Sequence, residues 1–188
     1  MAGILKGRTV AILATDGFEE VELAEPKKAL DKADATIHVI APHSGEIKGW
    51  NMTDWGKHAR VDRELNEASV NDYDALMLPG GVMNPDKLRM DSRAVAFVRH
   101  FFDAGKPVAA ICHAPWMLVE ADVVRGRMVT SWPSLQTDLR NAGANWVDEQ
   151  VVVDGNLTTS RKPDDIPAFV KKMIEQFAGA ARPASKIA

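Results

Sequence analysis

The sequence has almost no cysteine, no excess of either charge and no long apolar run, and each shortage removes a class of protein. Among 188 residues the one cysteine is Cys112. A single thiol forms no intrachain disulfide and no multi-cysteine zinc or iron–sulfur site. A disulfide-free chain suits a reducing compartment, so a cytoplasmic location is expected. The charges nearly balance, with 23 Lys+Arg against 26 Asp+Glu and a net −3. That leaves no electrostatic footprint for nucleic acid or an anionic membrane, and neither is expected as a partner. The apolar stretch Thr9 to Thr15 is far shorter than a membrane span and runs into Asp16 and Glu19. The five histidines, His38, His43, His58, His100 and His113, show no ligand spacing. No metal and no cofactor are expected, and the first four read as structural or surface residues. No internal repeat, low-complexity linker or composition break divides the chain.

What is present is an ordinary globular mixture, 46% apolar and 26% charged, long enough to bury a full core. One domain over 1–188 is expected, with an Ala-rich frayed tail from about 178 to 188. Short apolar or β-branched runs (Val10–Ala14, Thr36–Ala41, Ala75–Leu78, Pro107–Ile111) read as strands buried on both faces. Between them Glu19–Lys32, Ser92–Ala104 and Pro115–Val123 read as helices, with Pro26 expected to kink or restart the first. Later, Met128–Ser131 and Val151–Val153 read as strands, and Pro133–Ala142 and Pro163–Phe177 as helices. Asp154-Gly155 is a hairpin turn leading into Leu157–Thr159. Lys48 to Asn71, with Trp50 and Trp55 and weak periodicity, reads as a hairpin or long loop off the main sheet. The alternation predicts an α/β fold with a mostly parallel sheet covered by helices on both faces. In such sheets the site lies at the C-terminal ends of the strands.

Three strand ends carry chemistry. The first ends in "ATDGFEEVEL", with Asp16, Glu19 and Glu20; another ends in "PGGVMNPD", with Gly80, Gly81 and Asp86; the third ends in "ICHAPWML", with Cys112 and His113. A strand running into Cys-His-Ala-Pro and then a helix has the form of a nucleophile elbow. Pro115 suits the first helical turn, and free N–H groups at a helix start favour a thiolate. The competing reading is an inert buried cysteine, because free cysteine is often buried. His113 reads either as the base that takes the thiol proton or as a partly buried histidine bonded to a carbonyl. Gly81 N–H, with that of His113, is placed to hold an oxyanion, although paired glycines are also ordinary turn residues. Asp86 reads as the acid that orients His113 or as a solvated loop acid. Glu19, at a strand end entering a helix, reads as a helix cap or as the acid that shares a proton with Cys112. Glu20 and Glu22 read as helix-surface acids.

Together "GFEEVEL", "LMLPGGVMNPDKLR", "GKPVAAICHAP", "DVVRGRMVTSW", "NAGANWVDEQVVVDGN" and "TTSRKPDDIPAF" resemble the PfpI (intracellular protease I) family and its bacterial general-stress-protein and deglycase branch. The likeness runs from about Thr9 to Phe177. It implies a flavodoxin-like three-layer sandwich related to class I glutamine amidotransferase domains, and homodimers or higher homo-oligomers. By the same resemblance Cys112 matches the nucleophile, His113 its neighbouring histidine, and Glu19 the acid bonded to the sulfur. Asp86 falls where protease-like members carry a Glu that reaches the histidine across a subunit interface, and it is a shorter acid. Ala114 replaces the usual glycine and adds a methyl at the elbow, and Trp116 replaces a commonly polar residue. No histidine stands in "SRKPDD", so glutamine hydrolysis is excluded.

Two functions follow. In one, Cys112 is the nucleophile of a hydrolase for short peptides or for aldehyde (glyoxal or methylglyoxal) adducts. In the other, an activated Cys112 is oxidised and the chain acts as a redox sensor or chaperone-like stress protein. Lacking a second cysteine, the chain would need a resolving thiol from outside.

Overall fold

The computed structural model describes residues 3–180. Its elements in chain order are β1 (Thr9–Leu13), β2 (Phe18–Glu19), α1 (Glu20–Lys32), β3 (Thr36–Ala41), β4 (Glu46–Asn51), β5 (Asp54–Arg60) and β6 (Arg63–Glu64). They continue with β7 (Ala75–Leu78), α2 (Met83–Leu88), α3 (Ser92–Asp103), β8 (Val108–Ile111), α4 (Pro115–Glu120) and β9 (Met128–Val129). The chain then forms α5 (Gln136–Asn141), β10 (Asn145–Trp146), β11 (Val151–Asp154), β12 (Leu157–Ser160) and α6 (Ile166–Gly179).

Seven strands make the central sheet in the order β11-β12-β8-β7-β1-β3-β6. All neighbours are parallel except β11, which returns antiparallel to β12 through the Asp154-Gly155 turn. Gly155 has a φ of 58°, the left-handed conformation that such a turn requires. Successive residues of a strand face opposite ways, so β1 sends Val10 and Ile12 to one core and Ala11 and Leu13 to the other. The first core is closed by α1 (Leu23, Leu30) and α6 (Phe169, Met173, Phe177). The second is closed by α3 (Phe97, Val98, Phe101), α4 (Met117, Leu118) and α5 (Leu139). This is the flavodoxin-like three-layer α/β sandwich, with helices on both faces of a mostly parallel sheet.

Several local expectations change. One helix, α1, runs through Pro26 without restarting. Lys48 to Asn71 holds most of a β4–β5 hairpin that starts at Glu46, pairs with β2, and then returns as β6 to the edge of the main sheet. The strand expected over Met128–Ser131 stops at Val129, because the Thr130 N–H turns away to the Thr159 hydroxyl at 3.0 Å. Short 3-10 turns over Pro133–Leu135 and Pro163–Asp165 precede α5 and α6. Ala178 and Gly179, expected in the tail, are helical, and 181–188 lie outside the described residues.

Candidate active site

The adjacent strands β1, β7 and β8 end side by side, and the three chemically unusual loops meet there. Cys112 is the first residue beyond β8 and has a φ of 64°, a left-handed conformation that costs an L-residue about 1–2 kcal/mol. Its backbone is held on both sides: its N–H donates to the Ser160 carbonyl at 3.0 Å, and its carbonyl accepts from the Trp132 N–H at 2.9 Å. Pro115 then opens α4, where a missing N–H leaves nothing unsatisfied. Ala114 sits at φ −54°, so the added methyl is no obstacle; the turn's unusual dihedral belongs to Cys112.

Glu22, not Glu19, is the acid at the sulfur. It is completely buried on the first turn of α1, and its carboxyl lies within hydrogen-bonding reach of Cys112. Its Oε2 accepts the Gly80 N–H at 3.0 Å, while Oε1 is buried with no partner. Burial raises the Glu22 pKa to about 8, although the contacts with Cys112 and Gly80 pull it down. At neutral pH this carboxyl therefore holds its proton. Glu19 lies one turn earlier and faces the tip of the β4–β5 hairpin, accepting the Met52 N–H at 3.4 Å. Glu20 also ties α1 to that hairpin, accepting the Lys57 N–H at 2.7 Å. Asp16 does the same from the loop after β1, accepting the Lys48 N–H at 2.7 Å.

Both glycines are sterically required. A Cβ on Gly80 would come within 2.5 Å of Glu22 Oε2, 2.6 Å of Cys112 Cβ and 2.7 Å of the Ile111 carbonyl. Gly81 has a φ of 79°, and a Cβ there would meet the Gly17 carbonyl at 2.5 Å. The Gly81 N–H, together with that of His113, pulls the Cys112 pKa down by favouring charge on the sulfur. Burial nevertheless pushes the thiol up, and the Glu22 carboxylate adds to this once it ionises at higher pH. This net direction is opposite to the lowering expected from a helix start, because the sulfur is deeply buried.

His113 does turn toward its neighbour: Nδ1 lies 3.1 Å from Cys112 Sγ. Its ring is stacked on Trp132 (centroids 5.7 Å apart, planes at 23°) and meets Trp116 edge-on at 5.3 Å. Trp116 is itself tethered, donating from Nε1 to Asp138 at 2.8 Å. Burial between these rings lowers the His113 pKa to about 4, so the imidazole is neutral at pH 7. Asp86 is exposed on α2 and makes no hydrogen bond to His113 among the described residues. The sequence reading also passed over Asn84, whose side chain is buried and hydrogen-bonded to the ends of β1 and β7.

His38 contacts the Tyr73 hydroxyl at 3.3 Å and His58 contacts Glu46 at 2.9 Å, in keeping with structural or surface roles. Among the described residues no His, Cys, Asp and Glu are grouped as a metal site, and no helix is long and apolar enough to cross a membrane. Surface cavities of about 630, 530 and 410 Å³ open elsewhere, and none is lined by Cys112 or His113.

The model of the DJ-1/PfpI family matches residues 8–176. Protein/nucleic acid deglycase 2 of Escherichia coli is 41% identical over 169 residues, which is 89% of this chain and 96% of that protein. General stress protein 18 of Bacillus subtilis is 41% identical over 170 residues, again 89% and 96%. A two-domain protein of Anabaena variabilis, with DJ-1/ThiJ/PfpI-like and ferritin-like domains, superposes with a TM-score of 0.85 at 35% identity. That match takes in 95% of this chain and 53% of the larger protein. A family match over residues 8–176, together with relatives 41% identical over 89% of the chain, makes this chain a member of the DJ-1/PfpI family.

Proposed function

We propose that the chain is a cysteine-dependent hydrolase of small aldehyde adducts, with Cys112 as nucleophile, His113 as the base that takes its proton and Glu22 as the acid that protonates the leaving group. The observation that carries this reading is the sulfur itself, strained on its turn and bracketed by a buried carboxyl, an imidazole and two N–H groups. In the attack a C–S bond forms, the carbonyl π pair moves onto oxygen, and the thiol proton passes to the imidazole of His113. The N–H groups of Gly81 and His113 are the donors for the oxyanion. At pH 7 a carboxyl with a pKa near 8 is a better-matched proton donor than an imidazole with a pKa near 4. Glu22 therefore gives its proton to the leaving group as the bond to that group breaks; water then attacks the same carbon and passes a proton to Glu22, while the C–S bond breaks and the sulfur takes its proton back from His113. Cys112 is only 5% exposed and lines none of the described cavities, which favours a glyoxal or methylglyoxal adduct over a peptide. The name of the deglycase relative points the same way. A second copy of the chain is the route by which Asp86 would meet an imidazole, and we place the working site in a homo-oligomer.

A second reading rests on the protonated carboxyl beside the sulfur, which would donate to an oxidised Cys112 and make the protein a peroxide sensor. A turnover panel of methylglyoxal-modified amines and fluorogenic peptides, run on wild type and Cys112→Ser, separates the possibilities. Adduct hydrolysis that disappears with Cys112→Ser is expected. Activity surviving that change would remove Cys112 from the reaction, and turnover of peptides alone would overturn the substrate class.

A further inference from the structure

The loop between β7 and α2 carries a donor on which the proposed chemistry depends, and the aim of that donor is set from behind. In a trans peptide the carbonyl of one residue and the N–H of the next lie in one plane and point in opposite directions. No cis peptide occurs among the described residues. Whatever grips the Gly80 carbonyl therefore aims the Gly81 N–H. Two donors grip it: Asn84 Nδ2 at 3.2 Å and the Glu19 backbone N–H at 3.3 Å. The Asn84 carboxamide also donates to the Pro79 carbonyl at 2.9 Å and accepts the Thr15 N–H at 2.8 Å. This side chain is 1% exposed and has satisfied contacts at both of its ends. In front of the loop, Glu22 holds the Gly80 N–H, and the Gly81 N–H favours charge on the sulfur.

We propose that Asn84 is a positioning residue of this site, whose carboxamide grips the Gly80 carbonyl and thereby fixes the Gly81 N–H on Cys112 and on the oxyanion formed there. The proposal rests on Cys112 being the nucleophile, and it does not require the reaction to be hydrolysis. A well-packed apolar residue would fill the same space without joining the ends of two strands, and an unpartnered amide there would be costly. The ionisable groups that face the sulfur are Glu22 from α1 and His113, and Asn84 touches neither.

Asn84→Asp keeps the shape and the acceptor for Thr15, but sets an oxygen against two carbonyls. Asn84→Ala removes the grip without adding a charge, and it also serves if the aspartate variant fails to fold. For each variant three things are measured: the pH profile of Cys112 alkylation by iodoacetamide, turnover of a methylglyoxal-modified amine, and thermal unfolding. In both variants the alkylation midpoint should rise by about one pH unit. The kcat should fall about tenfold with KM within twofold, a part of the ~100- to 1,000-fold lost when such a donor is removed outright. A lower melting temperature with unchanged midpoint and kcat would make Asn84 merely structural and overturn the proposal, as would a midpoint that moves only in the aspartate variant. If wild type turns over no adduct, the hydrolytic reading fails while the alkylation midpoint still decides the role of Asn84.

Discussion

At Cys112 the left-handed backbone is held by main-chain bonds to Ser160 and Trp132, so the strain is distributed over β12 and the loop after β9. The neighbouring Gly80 has no slack at all. Gly80→Ala would drive a methyl into Glu22, Cys112 and the Ile111 carbonyl. Thermal unfolding should show a loss of about 2 kcal/mol or more, and adduct turnover should vanish even where the variant folds; wild-type turnover would show that the close approach is unnecessary. The elbow was legible because a strand, a cysteine and a helix-starting proline follow one another directly. Glu22 was not, since Glu19 and Glu22 stand one helical turn apart and both appear acidic and polar. The missed signal is its place among Leu23, Pro26 and Leu30, the other buried residues of α1. A carboxyl on an apolar stripe asks for a partner.

The sequence analysis assigns no element to "MNPDKL", which the structure folds as α2. Pro85 resembles a breaker, yet it sits within the first turn, where no intrahelical N–H is required. The long strands and helices were legible from their apolar periodicity. The short β2, β6 and β10 were not, because two residues carry no period. The start of α6 supplies another test. Arg161 donates from Nε to Asp165 at 2.9 Å and from Nη1 to Asp148 at 2.8 Å, and Asp165 is almost fully buried. Arg161→Ala leaves that carboxylate without its cation and should cost about 2–4 kcal/mol in denaturant unfolding. A loss below about 0.5 kcal/mol would mark the pair as an ordinary surface bridge.

Across the whole molecule the buried groups set how stability responds to pH. The folded pKa of Glu22 is raised from 4.5 to about 8, so the native state binds the extra proton and its stabilising share is lost as pH rises through that range. His113 moves the other way, from 6.5 to about 4, so its share is lost as pH falls and is constant above about 6.5. Between pH 4.5 and 6.5 the two oppose each other, and from 6.5 to 8 Glu22 acts alone of the pair. The central claim, that a protonated Glu22 rather than Glu19 shares the interior with Cys112, is therefore tested by unfolding free energy between pH 6.5 and 8. Wild type, Glu22→Gln and Glu19→Gln are compared. Wild type and Glu19→Gln should lose about 2 kcal/mol across that window, and Glu22→Gln should be flat. A slope that survives in Glu22→Gln, or that disappears in Glu19→Gln, would contradict the account.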